Sequence, residues 1–227
     1  MKIGIIVAME KELQQLRTLL DDGKMEVADG YEYYTGRIGR HDIVMQQGGV
    51  GKVNAAVATT TLIHRMAPEM VLSTGVAGGA DTALEVMDVV ISNACAYHDV
   101  WCGKEYAYGQ VMGQPARFPS AERPFEIPAG SGFQGRIHTG LIVTGDWFVD
   151  SREKMQDILT HFPDAKAVDM ESAAIAQTCW RYGIPFLSFR IISDVPLKDT
   201  EAAQYYDFWE RLANGSFEVT KEFLQQL

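Results

Sequence analysis

The sequence predicts an α/β fold built on a mixed sheet, and three observations carry that prediction. Apolar runs that read as buried strands alternate with segments of helical spacing along the chain. Two early runs, residues 31–38 and 41–47, flank a Gly39-Arg40 turn and read as a hairpin, which puts an antiparallel pair into the sheet. At 227 residues, 47% hydrophobic and 22% charged, the chain is long enough to bury a sizeable core as one domain over residues 1–227.

Each element follows from its local pattern. Residues 2–8 are continuously apolar, which predicts a buried strand. Residues 10–20 then place Leu13, Leu16, Leu19 and Leu20 at helical spacing. After the hairpin, Gly48-Gly49-Val50-Gly51-Lys52 opens a helix over residues 54–66. Residues 70–74 predict a strand that ends in Gly75-Val76-Ala77-Gly78-Gly79, and residues 88–96 predict another. Residues 101–136 carry Pro115, Pro119, Pro124 and Pro128 among several glycines. That composition predicts an irregular functional or interface insertion, because a strand-like run resumes at 139–144. A helix over 151–162 has Ser151 as its N-cap. A short strand at 165–168 leads to a helix over 171–182, stopped by Gly183 and Pro185. Residues 186–192 predict a strand, and the chain from about residue 202 to 227 an amphipathic helix.

Bulk properties exclude several classes. A net charge of −10 argues against a nucleic-acid surface, which needs clustered Lys and Arg. Three cysteines, Cys95, Cys102 and Cys179, form no CxxC pair and suit free thiols in a reducing compartment. The apolar start is cut short by Glu10, Lys11 and Glu12, too early for a signal segment. No run approaches the ~18–20 apolar residues of a membrane helix. The expected location is the cytoplasm. No HExxH, metal-ligand cluster or GxSxG elbow is present, so neither metal nor cofactor is expected.

Carboxylates at strand ends carry the chemistry. Val168-Asp169-Met170-Glu171 and Arg190-Ile191-Ile192-Ser193-Asp194 each end an apolar run in acid, and Glu12 follows the first strand. Open α/β sheets hold ligands at such strand ends, where carboxylates can bind sugar hydroxyls or move protons. Gly75-Val76-Ala77-Gly78-Gly79 lets backbone approach a ligand, although Val76 offers no hydroxyl. The Gly48 to Lys52 turn could cradle an anion at a helix N-terminus, but lacks a Walker or GxGxxG pattern and alone reads as a tight turn. In Gly145-Asp146-Trp147-Phe148-Val149, Phe148 alone reads first as a core aromatic and second as a stacking platform for a heterocycle. Adjacent strand residues face opposite ways, so His98-Asp99 reads as structural rather than as a catalytic pair.

Taken in order, these pieces resemble the methylthioadenosine/S-adenosylhomocysteine nucleosidases of the nucleoside phosphorylase superfamily. The resemblance runs through Ile5-Ile6-Val7-Ala8-Met9-Glu10-Lys11-Glu12, the Gly48 turn, Thr74-Gly75-Val76-Ala77-Gly78-Gly79, Val143-Thr144-Gly145-Asp146-Trp147-Phe148-Val149, Val168-Asp169-Met170-Glu171 and Ile192-Ser193-Asp194. Tyr97-His98-Asp99 and Tyr106-Ala107-Tyr108-Gly109-Gln110 extend it. It implies a three-layer α/β/α sandwich around a mixed, partly closed central sheet. It also implies a homodimer whose partner loop, around Tyr106 to Pro115, completes the site. The implied reaction is hydrolysis of the N-glycosidic bond of 5′-methylthioadenosine, S-adenosylhomocysteine and 5′-deoxyadenosine.

The resemblance assigns roles too. Asp194 would protonate adenine N7, supported by Ser193, and Glu12 would activate the attacking water, with Arg190 nearby. Glu171 would hold the ribose hydroxyls, with Met170 beside the sugar. Phe148 would stack on adenine and the backbone of Val149 would read its edge. Met9 and Val50 would line the tail subsite, and Val76, Ala77 and Gly78 the glycine-rich wall. Tyr205 or Phe208 would cover the nucleoside.

Three departures stand out. The family often has Ser where this chain has Val76 and Glu where it has Asp169. The stretch Pro196-Leu197-Lys198-Asp199 also differs. Alternatives are a phosphorylase attacking with phosphate, a hydrolase of another purine nucleoside such as a futalosine-type compound, and a catalytically dead nucleoside binder.

Overall fold

The structure, a computed structural model, describes residues 1–122, 133, 135–198 and 209–226. Pro124, Pro128, Asp199, Tyr205 and Phe208 lie outside the described residues.

The elements run β1 (Lys2–Val7), α1 (Glu10–Leu16), β2 (Asp21–Ala28), β3 (Tyr31–Ile38), β4 (His41–Gln47), α2 (Lys52–Met66), β5 (Met70–Gly79) and β6 (Val89–Tyr97). After the insertion come β7 (Phe118–Pro119), β8 (Ile137–Thr144), α3 (Arg152–His161), β9 (Ala165–Asp169), α4 (Ser172–Tyr182), β10 (Phe186–Asp194) and α5 (Trp209–Gln226). The expected hairpin is present, β3 and β4 pairing antiparallel across Gly39-Arg40. Ser151 caps α3, its Oγ accepting the Lys154 N–H at 3.2 Å.

The sheet is mixed and half closed. β5, β10, β6, β8 and β9 pair in a ring, because β5 bonds both β10 and β9, and β1-β4-β3-β2 extends from β5 as an open wing. Helices cover both faces, giving the three layers. One core joins α2 and α4 to the sheet through residues such as Leu62, Ile63, Ala173 and Ile175. A second joins α1 and α5 through Leu13, Leu16, Val219 and Phe223, and a third seats α3 through Met155 and Ile158.

Three expectations are corrected. The helix over residues 10–20 stops at Leu16 and ends in a 3₁₀ turn, Arg17–Leu19. The strand expected over residues 70–74 is longer. It continues as β5 to Gly79, because β10 pairs with it from Val71 to Gly78 and supplies the bonds its side chains cannot. β2 was not expected, for it is an edge strand with residues 21–27 exposed and no apolar alternation to betray it.

β5 also sets the position of the site. On the edge away from β10, β1 pairs with it up to Ser73, and β9 takes over at Gly78. Between them, residues 74–77 have no strand partner on that edge among the described residues, and the sheet forks there.

Candidate active site

A cavity of about 220 Å³ opens at this fork. Thirteen of the residues singled out from the sequence line it: Met9, Glu12, Val50, Val76, Ala77, Gly78, Phe148, Val149, Met170, Glu171, Arg190, Ser193 and Asp194; Tyr106 and Pro115 do not, and Tyr205 and Phe208 lie outside the described residues. Ala8, Thr74, Gly75, Trp147, Val168 and Asp169 line it as well. Most of these neighbours sit inside the same motifs, which was the signal for them. Phe148 does not belong to the core. It is 50% exposed, its ring forming part of the cavity wall.

Glu12 enters from the first turn of α1. It is 4% exposed and accepts the Met9 N–H at 3.0 Å, with further backbone donors from Ala8 and Val76. Val76 therefore does supply a donor, but from its main chain, at the forked edge where that N–H has no strand to pair with. Burial raises the Glu12 carboxyl from an ordinary 4.5 to about 7, against the pull of Met9 and the positive charge of Arg190. Gly75 permits the crowding: a Cβ there would come within 2.8 Å of Glu12 Oε1 and 3.7 Å of Arg190 Nη1.

Glu171 sits at the start of α4. It accepts the Gly51 N–H at 3.0 Å, while Asp146 accepts the Lys52 N–H at 2.8 Å. The N-terminus of α2 is thus occupied by the protein's own carboxylates, not left open for a foreign anion. Burial first, then repulsion from Asp169, raises Glu171 to about 7. His98 and Asp99 form no catalytic pair, in keeping with their adjacency in the chain. Asp99 binds Lys52 Nζ at 2.6 Å and the Asp146 N–H at 2.9 Å, and both ring nitrogens of buried His98 are unpaired.

Asp194 comes from the end of β10, where the register against β5 shifts between Ile192 and Asp194. The bulge places consecutive Ser193 and Asp194 on the same cavity. Burial raises the Asp194 carboxyl, and the Ser193 hydroxyl opposes the rise. Ser193 Oγ lies 2.6 Å from Asp194 Oδ1 and 3.1 Å from the Ala77 carbonyl. One hydroxyl proton cannot serve both. With Asp194 ionised, Ser193 donates to it; with Asp194 protonated, Asp194 donates to Ser193, which donates on to Ala77. The pair can hold the acid in either state.

Arg190 and Asp169 form the buried ion pair beneath the cavity. Arg190 Nε donates to Asp169 at 2.8 Å, Nη1 to the Phe189 carbonyl at 3.2 Å and Nη2 to Ser73 Oγ at 3.0 Å. Asp169 is engaged with structure, accepting also from Thr144 Oγ1 at 2.5 Å and from the N–H and hydroxyl of Ser172. Cys95 and Cys179 are buried, and burial pushes both thiols up, away from nucleophilic use.

Comparison with known proteins adds the family. The family model described as the phosphorylase superfamily matches residues 2–225. The chain is 38% identical to the 5′-methylthioadenosine/S-adenosylhomocysteine nucleosidase of Lysinibacillus sphaericus, with 100% of both covered. It is 39% identical to that of Staphylococcus aureus, over 99% of this chain and 100% of the relative. Among solved structures, the Neisseria meningitidis nucleosidase in complex with methylthio-immucillin-A superposes with a TM-score of 0.90 at 36% identity, covering 100% of this chain and 99% of that one. The Colwellia psychrerythraea nucleosidase in complex with adenine superposes with a TM-score of 0.90 at 35% identity, covering 100% and 96%.

Proposed function

The chain belongs to the 5′-methylthioadenosine/S-adenosylhomocysteine nucleosidases of the phosphorylase superfamily, and we propose that its forked-sheet cavity hydrolyses the N-glycosidic bond of those two nucleosides, and of 5′-deoxyadenosine, releasing adenine. One observation carries the mechanism: three acids with raised pKa values, Glu12, Glu171 and Asp194, line one cavity with Arg190.

Breaking this bond builds positive charge on the ribose and negative charge on the purine. Asp194, whose carboxyl burial raises above the usual carboxylate range, gives a proton to N7 and relieves the leaving group. Ser193 then turns its hydroxyl to the new carboxylate. Glu12, poised near neutrality, takes a proton from the attacking water, and Arg190 steadies that water with N–H groups its three protein contacts leave over. Each positioned proton transfer is worth about 10²–10⁴-fold. Glu171 accepts from the ribose hydroxyls, and its charge, with that of Glu12, favours the cationic sugar. Met170 packs beside the ribose and Phe148 lies along the adenine face. The Val149 backbone reads the adenine edge, with Val76, Ala77 and Gly78 as the opposite wall. Met9 and Val50 line the path of the 5′ tail.

Phosphate fits this site poorly as a nucleophile. A dianion wants several Arg or hydroxyl donors, and here Val76 has no hydroxyl, Arg190 is tied to Asp169, and Glu12 would repel it. A homodimer agrees with the surface: Val50, Val53 and Val57 line up along the exposed start of α2, and Trp101 and Met112 stand exposed on the insertion that holds Tyr106 and Pro115. No helix among the described residues is long and apolar enough to cross a membrane, and the free cysteines suit a cytoplasmic setting.

The deciding experiment is adenine release from 5′-methylthioadenosine with and without phosphate. Phosphate-independent release with free methylthioribose is expected. Release only with phosphate, as the sugar 1-phosphate, would mean phosphorolysis, and no release from this nucleoside would turn attention to other purine nucleosides.

A further inference from the structure

The mechanism leaves one buried acid of the cavity without a task. Asp169 is 6% exposed at the end of β9 and is held by donors from three elements: Thr144 at the end of β8, Ser172 at the start of α4 and Arg190 on β10. Ser172 Oγ also bonds Ser188 Oγ at 2.8 Å, which ties α4 back to β10. Asp169 is therefore fixed in place. Arg190, 2% exposed, is fixed with it: Asp169 holds Nε on one side and Ser73 holds Nη2 on the other. Among the described residues its one ion pair is with Asp169, although Glu12 lies near: a Cβ on Gly75 would stand 2.8 Å from Glu12 Oε1 and 3.7 Å from Arg190 Nη1.

We propose that Asp169 is a positioning residue: it draws the Arg190 guanidinium away from Glu12, so that Glu12 remains free to take a proton from water instead of being locked into an ion pair. The proposal rests on the reading of Glu12 as the base and deepens it. A carboxylate paired with Arg drops by about 1–3 pKa units, which would make Glu12 a feeble base. Partial neutralisation of Arg190 by Asp169 prevents that. Among the described residues, the charged groups acting on Glu12 are Arg190 from β10 and Glu171 from the start of α4. β5 offers it backbone only, and α5 covers α1 with Val219, Phe223 and Leu224.

The test is a carbon-13 carboxyl NMR titration of Glu12, assigned by its loss in Glu12→Gln, in wild type and in Asp169→Asn. Values of kcat and KM for adenine release are measured over the same pH range. Asp169→Asn frees Arg190, so the Glu12 midpoint should fall by at least about one pH unit, and the acid limb of kcat/KM should move with it. At pH 7, kcat should drop about tenfold or more, with KM changed less. An unmoved midpoint in folded Asp169→Asn protein overturns the proposal and leaves Asp169 a structural role. If that variant does not fold, Asp169→Ser decides, because it too removes the charge that offsets Arg190 while leaving a small polar group for Thr144 and Ser172. A lowered Glu12 midpoint supports the proposal and an unmoved one overturns it. Absence of adenine release in wild type would sink the hydrolase reading, while the titration would still decide whether Asp169 governs Glu12.

Discussion

Glu171 accepts the Gly51 N–H at 3.0 Å, so the turn that opens α2 is fastened to the carboxylate that opens α4. Gly51 has φ of 94°, which few side chains tolerate, and a Cβ there would meet Asp146 Oδ1 at 3.0 Å. Gly51→Ala should therefore lower stability by about 1–3 kcal/mol and raise KM as Glu171 shifts. Urea denaturation and initial rates check both. An unchanged KM would mean that the turn does not position Glu171.

Raised carboxyls make stability depend on pH in a definite direction. Folded Glu12 holds its proton up to about pH 7, whereas an ordinary carboxyl loses it near 4.5. Between those values the native state binds more protons than the unfolded chain, so stability falls as pH rises through the window. Glu171 acts with the same sign. Glu12→Gln lacks its share of this loss. Its Tm minus that of wild type should grow from pH 5 to pH 7.5, by an amount worth on the order of a few kcal/mol. A constant difference across the window would show that Glu12 titrates like a solvated acid.

Ser193→Ala removes a hydrogen bond that favours ionised Asp194. The Asp194 pKa should rise further, moving the alkaline limb of kcat/KM upward by about half to one pH unit. Asp194→Asn should instead nearly abolish turnover, with binding of the nucleoside largely kept, as calorimetry would report. Near wild-type turnover in Asp194→Asn would remove Asp194 as the acid.

Phe148→Ala should act mainly on binding. The ring is half exposed before any ligand arrives, and stacking on a base is worth about 1–3 kcal/mol. KM should rise roughly 5- to 100-fold with a smaller change in kcat. A change confined to kcat would argue that Phe148 orients rather than holds the base.

Much of this architecture was legible in the chain because its strong signals are local. The β3–β4 hairpin carries its own turn, α3 its own cap, and the Asp169-Met170-Glu171 and Ser193-Asp194 strand ends their own acids. What escaped depends on partners distant in sequence. From the sequence β5 ends at Thr74, until β10 is laid beside Gly75 to Gly78. Phe148 looks like core until the fork leaves it lining a cavity. The Asp169 contacts to Thr144 and Arg190 span 25 and 21 positions, and no pattern around Asp169 announces them. Val76 was judged by its side chain, but its contribution comes through the amide.

The donor at residue 76 belongs to the peptide bond, not to any particular amino acid, so exchange of the side chain there leaves it intact. Lineages can drift at this position and keep the same contact to Glu12. Only a proline, or an insertion that changes where β1 yields to β9, would erase it. Comparing residue identities at such a position would record divergence where the contact to Glu12 has not diverged.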